Sequence, residues 1–348
     1  MQTLILAGGK GTRLHPLTSR VPKPVMPLAG RPFLTFMLDW LESHGIDDVI
    51  FCCGYGGDGI RRVLGRDYRG MRLRYLYEAE PLGTAGPLRL AADEGLLAQR
   101  FLVVNGDVLT DIDLSEQLDQ HVERGATATL ALVSVDDTAS YGVVPTAVDG
   151  RVEAFLEKAG EPPPTDRINA GAYVVERHFV SAIPSGRAVS IEREVFPRFV
   201  EAKLYGYLAQ GYWLDIGTPE RYLEATRDLL RGRPSSRLPP PNRGASLVYG
   251  GCRTDGATLR GHSVLGEGCS VGAGSLIDRS VLHREVAVGR DCVIEESVLA
   301  DGVRVHDGAR IGAGALVGDR AVIGPGVRIE PGTRVEPGGR AESGAAGG

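Results

Sequence analysis

Two kinds of apolar periodicity divide this chain. Up to about Leu230, short apolar runs alternate with stretches of helical spacing: Val49–Cys53 and Phe101–Asn105 read as strands, Ala85–Leu97 and Leu114–Glu123 as helices. That alternation predicts an α/β domain over residues 1–230, built on a mainly parallel sheet whose ligands bind beyond the carboxyl ends of the strands. A proline-rich stretch, Arg231 to Pro241, reads as a semi-rigid linker within residues 231–244. Beyond it the period changes. Val281, Ala287, Val293, Leu299, Val305, Ile311, Val317, Ile323, Ile329 and Val335 recur every six residues, with glycine following at Gly312, Gly318 and Gly324. A hexapeptide period marks a left-handed parallel β-helix, each aliphatic residue pointing into a triangular coil. The coil is expected over residues 245–338, with Cys269 and Ser275 in the same register, and residues 339–348 are expected to be a disordered tail.

The first predicted strand runs into Leu6-Ala7-Gly8-Gly9-Lys10-Gly11-Thr12-Arg13-Leu14, followed by Pro16-Leu17-Thr18 and Pro22-Lys23-Pro24. Glycine lets such a backbone turn tightly and brings amide groups against an anion. Arg13 offers a planar fork of donors and Lys23 a compact ammonium. From Met1 to Leu38 there is no Asp or Glu, although the chain carries a formal net charge of -5. A local cationic segment in an acidic protein points to a polyphosphate ligand, not to a nucleic-acid surface. The stretch is not a P-loop, because Thr12-Arg13 follows Gly11 where Lys-Ser/Thr is required. Nor is it a dinucleotide fingerprint, since Pro16, Pro22 and Pro24 bar an immediate helix.

Leu6 to Gly30 resembles the signature of the sugar-1-phosphate nucleotidyltransferases (NDP-sugar pyrophosphorylases). The resemblance continues in order through Glu80-Pro81-Leu82-Gly83-Thr84-Ala85-Gly86-Pro87, Asn105-Gly106-Asp107, Tyr141-Gly142-Val143-Val144, Glu157-Lys158, Asn169-Ala170-Gly171, Ser190 to Pro197 and Trp213 to Pro219. It is strongest toward the mannose-1-phosphate guanylyltransferase branch. It implies a Rossmann-like fold and a reaction in which a sugar 1-phosphate attacks the α-phosphorus of a nucleoside triphosphate and pyrophosphate leaves in line. Positioning and charge stabilisation are then the protein's work. Leu6, Ala7, Gly8, Gly9, Gly11 and Thr12 are expected around the nucleotide, with Gly83 and Thr84. Arg13 is expected to stabilise the leaving pyrophosphate and Lys23 the α-phosphate side. By resemblance Lys158 grips the sugar phosphate and Glu157 a sugar hydroxyl, while Tyr141, Gly142, Asn169 and Gly171 line the sugar pocket.

Asp107 ends a strand and Asp215 precedes Gly217. Two carboxylates without a dense ligand cluster suit Mg²⁺, which keeps waters and borrows phosphate oxygens. Each also has a plainer reading, Asp107 as a turn residue and Asp215 as a helix cap before Pro219. Glu78, where thymidylyl relatives characteristically carry glutamine, is a candidate reader of guanine: an ionised carboxylate offers two acceptors to the base's two neighbouring donors. Glu80 rivals it.

The remaining composition changes little. The 348 residues suffice for two domains. Cys52, Cys53, Cys252, Cys269 and Cys292 are odd in number and lack C-x-x-C spacing, which argues against a disulfide framework or zinc site. No signal-like n-region or membrane-length apolar run is read, so a cytoplasmic, membrane-free protein is expected. Two other function classes remain open: a non-catalytic regulator of the same fold, and an acyltransferase using His262, His283 or His306 of the repeats as base. The exposed end of a coil favours a homo-oligomer. The resemblance favours GTP and mannose 1-phosphate, with heptose and cyclitol phosphates left open as alternatives for the sugar.

Overall fold

The computed structural model describes residues 1–54, 56–156, 163–200 and 202–342. The chain divides into two compact units that do not follow chain order: Met1–Gly9 with Met37–Trp213, and Lys10–Phe36 with Leu214–Gly348. The cationic segment thus belongs with the repeats, not with the strand that leads into it.

The first unit is built on an eight-stranded sheet in the order Leu204–Leu208, Ala128–Ser134, Arg167–Glu176, Arg100–Asn105, Gln2–Leu6, Asp48–Cys53, Met71–Tyr77, Asp67–Tyr68. Gln2–Leu6, Asp48–Cys53, Met71–Tyr77 and Arg100–Asn105 run parallel, while Arg167–Glu176 is antiparallel to both neighbours. Parallel neighbours need crossovers, and Gly57–Leu64 and Gly86–Asp93 are helices in two of them. The sheet is Rossmann-like and mainly parallel, as the apolar alternation predicts. Leu114–Glu123 forms as expected, capped by Asp113, whose carboxylate accepts from Ser115 N–H and Glu116 N–H at 2.8 and 3.0 Å. The expected Ala85–Leu97 helix stops at Asp93. Gly95 turns left-handed (φ +68°), Gly95 N–H bonds Ala92 O, and Leu96 N–H bonds Ala91 O. These bonds close the helix end with a glycine the apolar pattern ignores.

The second unit holds the coil. Its strands stack into three parallel sheets of six, five and five strands. The expected inward register is correct only from Leu299 onward. Before that, the inward row is Leu265, Val271, Ile277, Leu282, Val288 and Ile294, all buried in the coil's core. Ala287 and Val293 are only half-buried. Val281 is buried outside that core, in the stack Val264, Val281, Val298. Cys269 and Ser275 belong to a separate buried corner row. The slip has a simple cause. Val264, Val281 and Val298 align at steps of 17 residues, whereas Val298, Leu316 and Arg334 align at steps of 18. The early coils are one residue short at a single corner.

Serine marks that corner. The Ser263, Ser280 and Ser297 N–H groups donate to the hydroxyls of Ser246, Ser263 and Ser280, each at 3.1 Å. All four serines are fully buried. Past Ser297 the ladder ends: the next donor in the row, Ala315 N–H, bonds Gly312 O instead, at 3.2 Å. Along this row the hydroxyls supply acceptors to buried backbone N–H groups. Past Gly338 the coil continues to a strand at Arg340–Ala341, paired with Val322–Ile323. Of the tail expected from residue 339, residues 343–348 lie outside those described.

Ser280→Ala should leave the Ser297 N–H buried without its acceptor. The expected cost is about 1–3 kcal/mol, read as a lower urea midpoint with an unchanged slope. An unchanged midpoint would show the ladder to be energetically idle.

Candidate active site

In the first unit the parallel strands bring their carboxyl ends to one edge. Leu6 pairs with both Cys52 and Asn105. Ala7 N–H then donates to Cys52 O at 3.0 Å, and Gly106 N–H to Leu6 O at 2.9 Å. Glycine is required by contact here. A Cβ on Gly8 would lie 3.2 Å from Glu78 Oε1 and 3.3 Å from Gly54 N, and one on Gly106 would lie 2.7 Å from Leu6 O. Gly9 faces open space, where a Cβ would meet nothing within 4 Å.

Glu78 therefore stands beside Gly8. Its Oε2 accepts from Leu82 N–H at 2.9 Å. Burial pushes its pKa up, and the Leu82 hydrogen bond restrains the rise. Glu80, the rival, is exposed. Gly83 adopts φ +72° with Val189 O in the place of any Cβ, which would lie 2.5 Å from it. The Thr84 hydroxyl donates to Glu192 Oε2 at 2.8 Å and accepts from Ile191 N–H at 2.8 Å, and Ser190 Oγ donates to the same carboxylate at 2.9 Å. Thr84 is thus tied into an internal network that fixes the Gly83 loop.

Asn169 and Gly171 lie at a bulge in Arg167–Glu176. Asn169 accepts from Gly171 N–H at 3.0 Å and donates to Tyr173 OH at 2.8 Å. A Cβ on Gly171 would sit 2.5 Å from Asn105 Nδ2. Asp107 follows at the same edge, near enough for its charge to raise the phenol pKa of buried Tyr173, whose main cause is burial. Tyr141 packs edge-on against Trp213 at 5.5 Å, and Trp213 Nε1–H donates to Ala170 O at 2.8 Å. Gly142 leads into Val143, which exchanges backbone hydrogen bonds of 3.0 Å with Leu156. Glu157 and Lys158 lie outside the described residues.

In the second unit, Gly11 turns left-handed (φ +64°) ahead of a 3₁₀ turn at Thr12–Leu14. A Cβ on Gly11 would lie 2.8 Å from Lys23 Cβ, and Thr18 Oγ1 donates to Gly11 O at 3.1 Å. Lys23 is 9% exposed, an uncommon burial for an ammonium. Arg13 and Asp215 both flank Gly217: a Cβ there would lie 2.7 Å from Arg13 Nη2 and 3.0 Å from Asp215 Oδ1. Arg221 Nη1 also approaches Asp215 Oδ2 at 3.4 Å. Asp215 is not the helix cap. Thr218 caps Pro219–Leu230, accepting from Arg221 N–H.

The nucleotidyl transferase family matches residues 2–232, and the LbH domain of EIF2B subunit epsilon matches residues 246–329. A mannose-1-phosphate guanylyltransferase of Mycobacterium tuberculosis is 44% identical over 266 residues, covering 75% of this chain and 74% of the relative. A probable mannose-1-phosphate guanylyltransferase of Arabidopsis thaliana is 38% identical, covering 68% of each. Among solved structures, HddC from Yersinia pseudotuberculosis is 30% identical with a TM-score of 0.56, over 64% of this chain and 97% of that one. The same protein has been solved complexed with GMP-PN. The chain belongs to the nucleotidyl transferase family. It is an enzyme of that class with an α/β catalytic fold and a left-handed β-helix, and NDP-sugar formation is the activity this family membership supports.

His283 is buried against Tyr222 OH at 3.1 Å, and burial holds its pKa down to about 4. His306 lines an open groove with Arg340 and Glu342. Among the described residues no helix is long and apolar enough to cross a membrane. All five cysteines are free. Sequence reasoning overlooked Asn105, Ser190, Glu192 and Trp213 as individual positions. Each lies inside a motif read from the sequence, but only contact geometry separates them from their neighbours.

Gly217→Ala places a methyl group in the Arg13 guanidinium. The arginine tip is flexible, so the fold should survive. Turnover should fall at least tenfold, because misplacement by about 1 Å of a positioned group costs up to 10²-fold. Steady-state kinetics beside a melting curve would check it, and parental turnover would dissociate Arg13 from Gly217.

Proposed function

We propose that the enzyme transfers guanylyl from GTP to mannose 1-phosphate, releasing pyrophosphate and GDP-mannose. The carrying observation is Glu78, whose carboxylate lies against Gly8 at the strand ends. Leu82 N–H uses one lone pair of Oε2 and leaves acceptors for the two guanine donors. The guanylyltransferase relatives and the HddC complex with GMP-PN support the same base. Arg13 stabilises charge growing on pyrophosphate, and Lys23, whose burial strengthens its field, holds the α-phosphate. A sugar-phosphate oxygen forms the new bond to the α-phosphorus as the α–β anhydride breaks. We assign Tyr141, Gly142, Asn169 and Gly171 to the sugar, with Glu157 on a hydroxyl and Lys158 on its phosphate.

Asp107 and Asp215 are hard oxygen donors, which fits Mg²⁺. Among the described residues no three His, Cys, Asp or Glu gather to hold a metal. Substrate phosphate oxygens and water would therefore complete its coordination, and the ion would supply charge neutralisation on those phosphates. EDTA should abolish activity and Mg²⁺ restore it. Asp107→Asn and Asp215→Asn should each raise the Mg²⁺ concentration for half-maximal rate, and unchanged titrations would remove both carboxylates from the assignment.

The base and sugar are tested by pyrophosphate release, crossing nucleoside triphosphates with sugar and cyclitol 1-phosphates. GTP should be preferred, and Glu78→Gln should narrow its lead over dTTP and UTP, with Glu80→Gln as control. Because the Glu78 pKa is raised, its charged form is lost at a higher pH than an ordinary glutamate's as pH falls. GTP use should decline on that acid limb, and the Gln variant should lack the Glu78 contribution to it. Better use of dTTP or ATP by the parent enzyme would sink the base assignment.

A further inference from the structure

The Thr12–Leu14 turn is too short to satisfy its own backbone. It closes two hydrogen bonds, Leu14 N–H to Gly11 O at 3.0 Å and His15 N–H to Thr12 O at 3.1 Å. The Arg13 carbonyl is met instead by the coil, from more than three hundred residues away: Arg334 Nη2 donates to it at 2.9 Å. Next to it, Glu336 holds His15, with Nε2 at 2.9 and 3.0 Å from the two carboxylate oxygens. The other ring nitrogen, Nδ1, lies 3.2 Å from Ser19 Oγ, so the imidazole is fixed from both sides. The coil residues making these contacts are themselves in register. Arg334 and Val335 pair with Leu316 and Val317, and Gly318 N–H bonds Val335 O at 2.8 Å.

We propose that Arg334 and Glu336, on the last coils of the β-helix, are positioning residues for the catalytic turn that carries Arg13. The proposal rests on the reading of Arg13 as the pyrophosphate-stabilising group. Contacts this exposed add little to stability; the side chains of His15 and Glu336 are 45% and 62% exposed. Their value is geometric, since they set the backbone from which the Arg13 guanidinium lies over Gly217. The repeats are then part of the catalytic machinery, whatever else they assemble.

The test uses the full-length enzyme. Arg334→Ala and Glu336→Ala are made singly and together, with Arg334→Lys and Glu336→Gln as conservative variants, and Arg13→Ala as reference. The double alanine variant should lose about tenfold or more in kcat, with the parental melting temperature and an unchanged KM for the sugar 1-phosphate. Lys and Gln, which keep a donor and an acceptor, should recover most of the loss. On the Arg13→Ala background the same changes should cost nothing further, because there is no guanidinium left to place. Parental kcat in the double variant, a loss that tracks melting temperature, or an equal loss on the Arg13→Ala background would overturn the proposal. If Arg13→Ala itself keeps full turnover, the reading beneath it fails. If Arg13→Ala is crippled while the coil variants are not, only this proposal fails.

Discussion

The segment Lys10–Phe36 carries Arg13 and Lys23 and has little regular structure, so side chains must satisfy much of its backbone. Tyr222 OH donates to Pro27 O, Tyr249 OH to Ala29 O at 2.8 Å, and Thr18 Oγ1 to Gly11 O. Arg334 meets the Arg13 carbonyl. Ala29 and Gly30 both take positive φ in the tight hairpin between Pro27–Leu28 and Arg31–Pro32. A Cβ on Gly30 would strike the Tyr249 ring at 2.3 Å. Side chains from a helix and a coil thus satisfy much of the backbone of this loop.

The coil can serve as such a fixture because its rungs are locked at more than one level. Aliphatic residues fill its axis, and parallel backbone bonds tie rung to rung. Buried serine hydroxyls close the corner where the early coils are short. On the sheet carrying Val264, Val281, Val298 and Leu316 the outward row is buried as well, which makes it apolar on both faces, as in a covered parallel sheet. His283 on that sheet reaches Tyr222, the same tyrosine that holds Pro27.

The strand ends of the first unit follow a different logic. At Gly106 and Gly171 a backbone oxygen or an amide side chain already occupies the space of a Cβ, and at Gly8 and Gly54 a Cβ would be pressed to 3.0–3.3 Å from its neighbours. The missing Cβ atoms let Glu78 lie against Gly8 and Asn105 against Gly171. The Thr84–Glu192–Ser190 network stiffens the neighbouring Gly83 loop from below. Burial of Glu78 then makes its hydrogen-bonding state matter, because a partly desolvated carboxylate is costly to leave unmatched.

What the sequence determined by itself was local. Apolar alternation identified the α/β region, a six-residue period identified the coil, and the order of the motifs from Leu6 to Pro219 identified the family. Helix Leu114–Glu123 was legible to the residue because its cap and period agree. The coil's early register was not, because dropping one residue at a corner leaves the aliphatic composition looking periodic. Nor could the sequence assign Lys10–Phe36 to the unit of the repeats. The packing of Arg13 over Gly217, and the hold of Arg334 and Glu336 on Arg13 and His15, join residues some two hundred to three hundred positions apart. Spacing carries information only while successive residues share one helix or strand. Contacts between elements depend on how whole surfaces dock, and that was settled by tertiary packing alone.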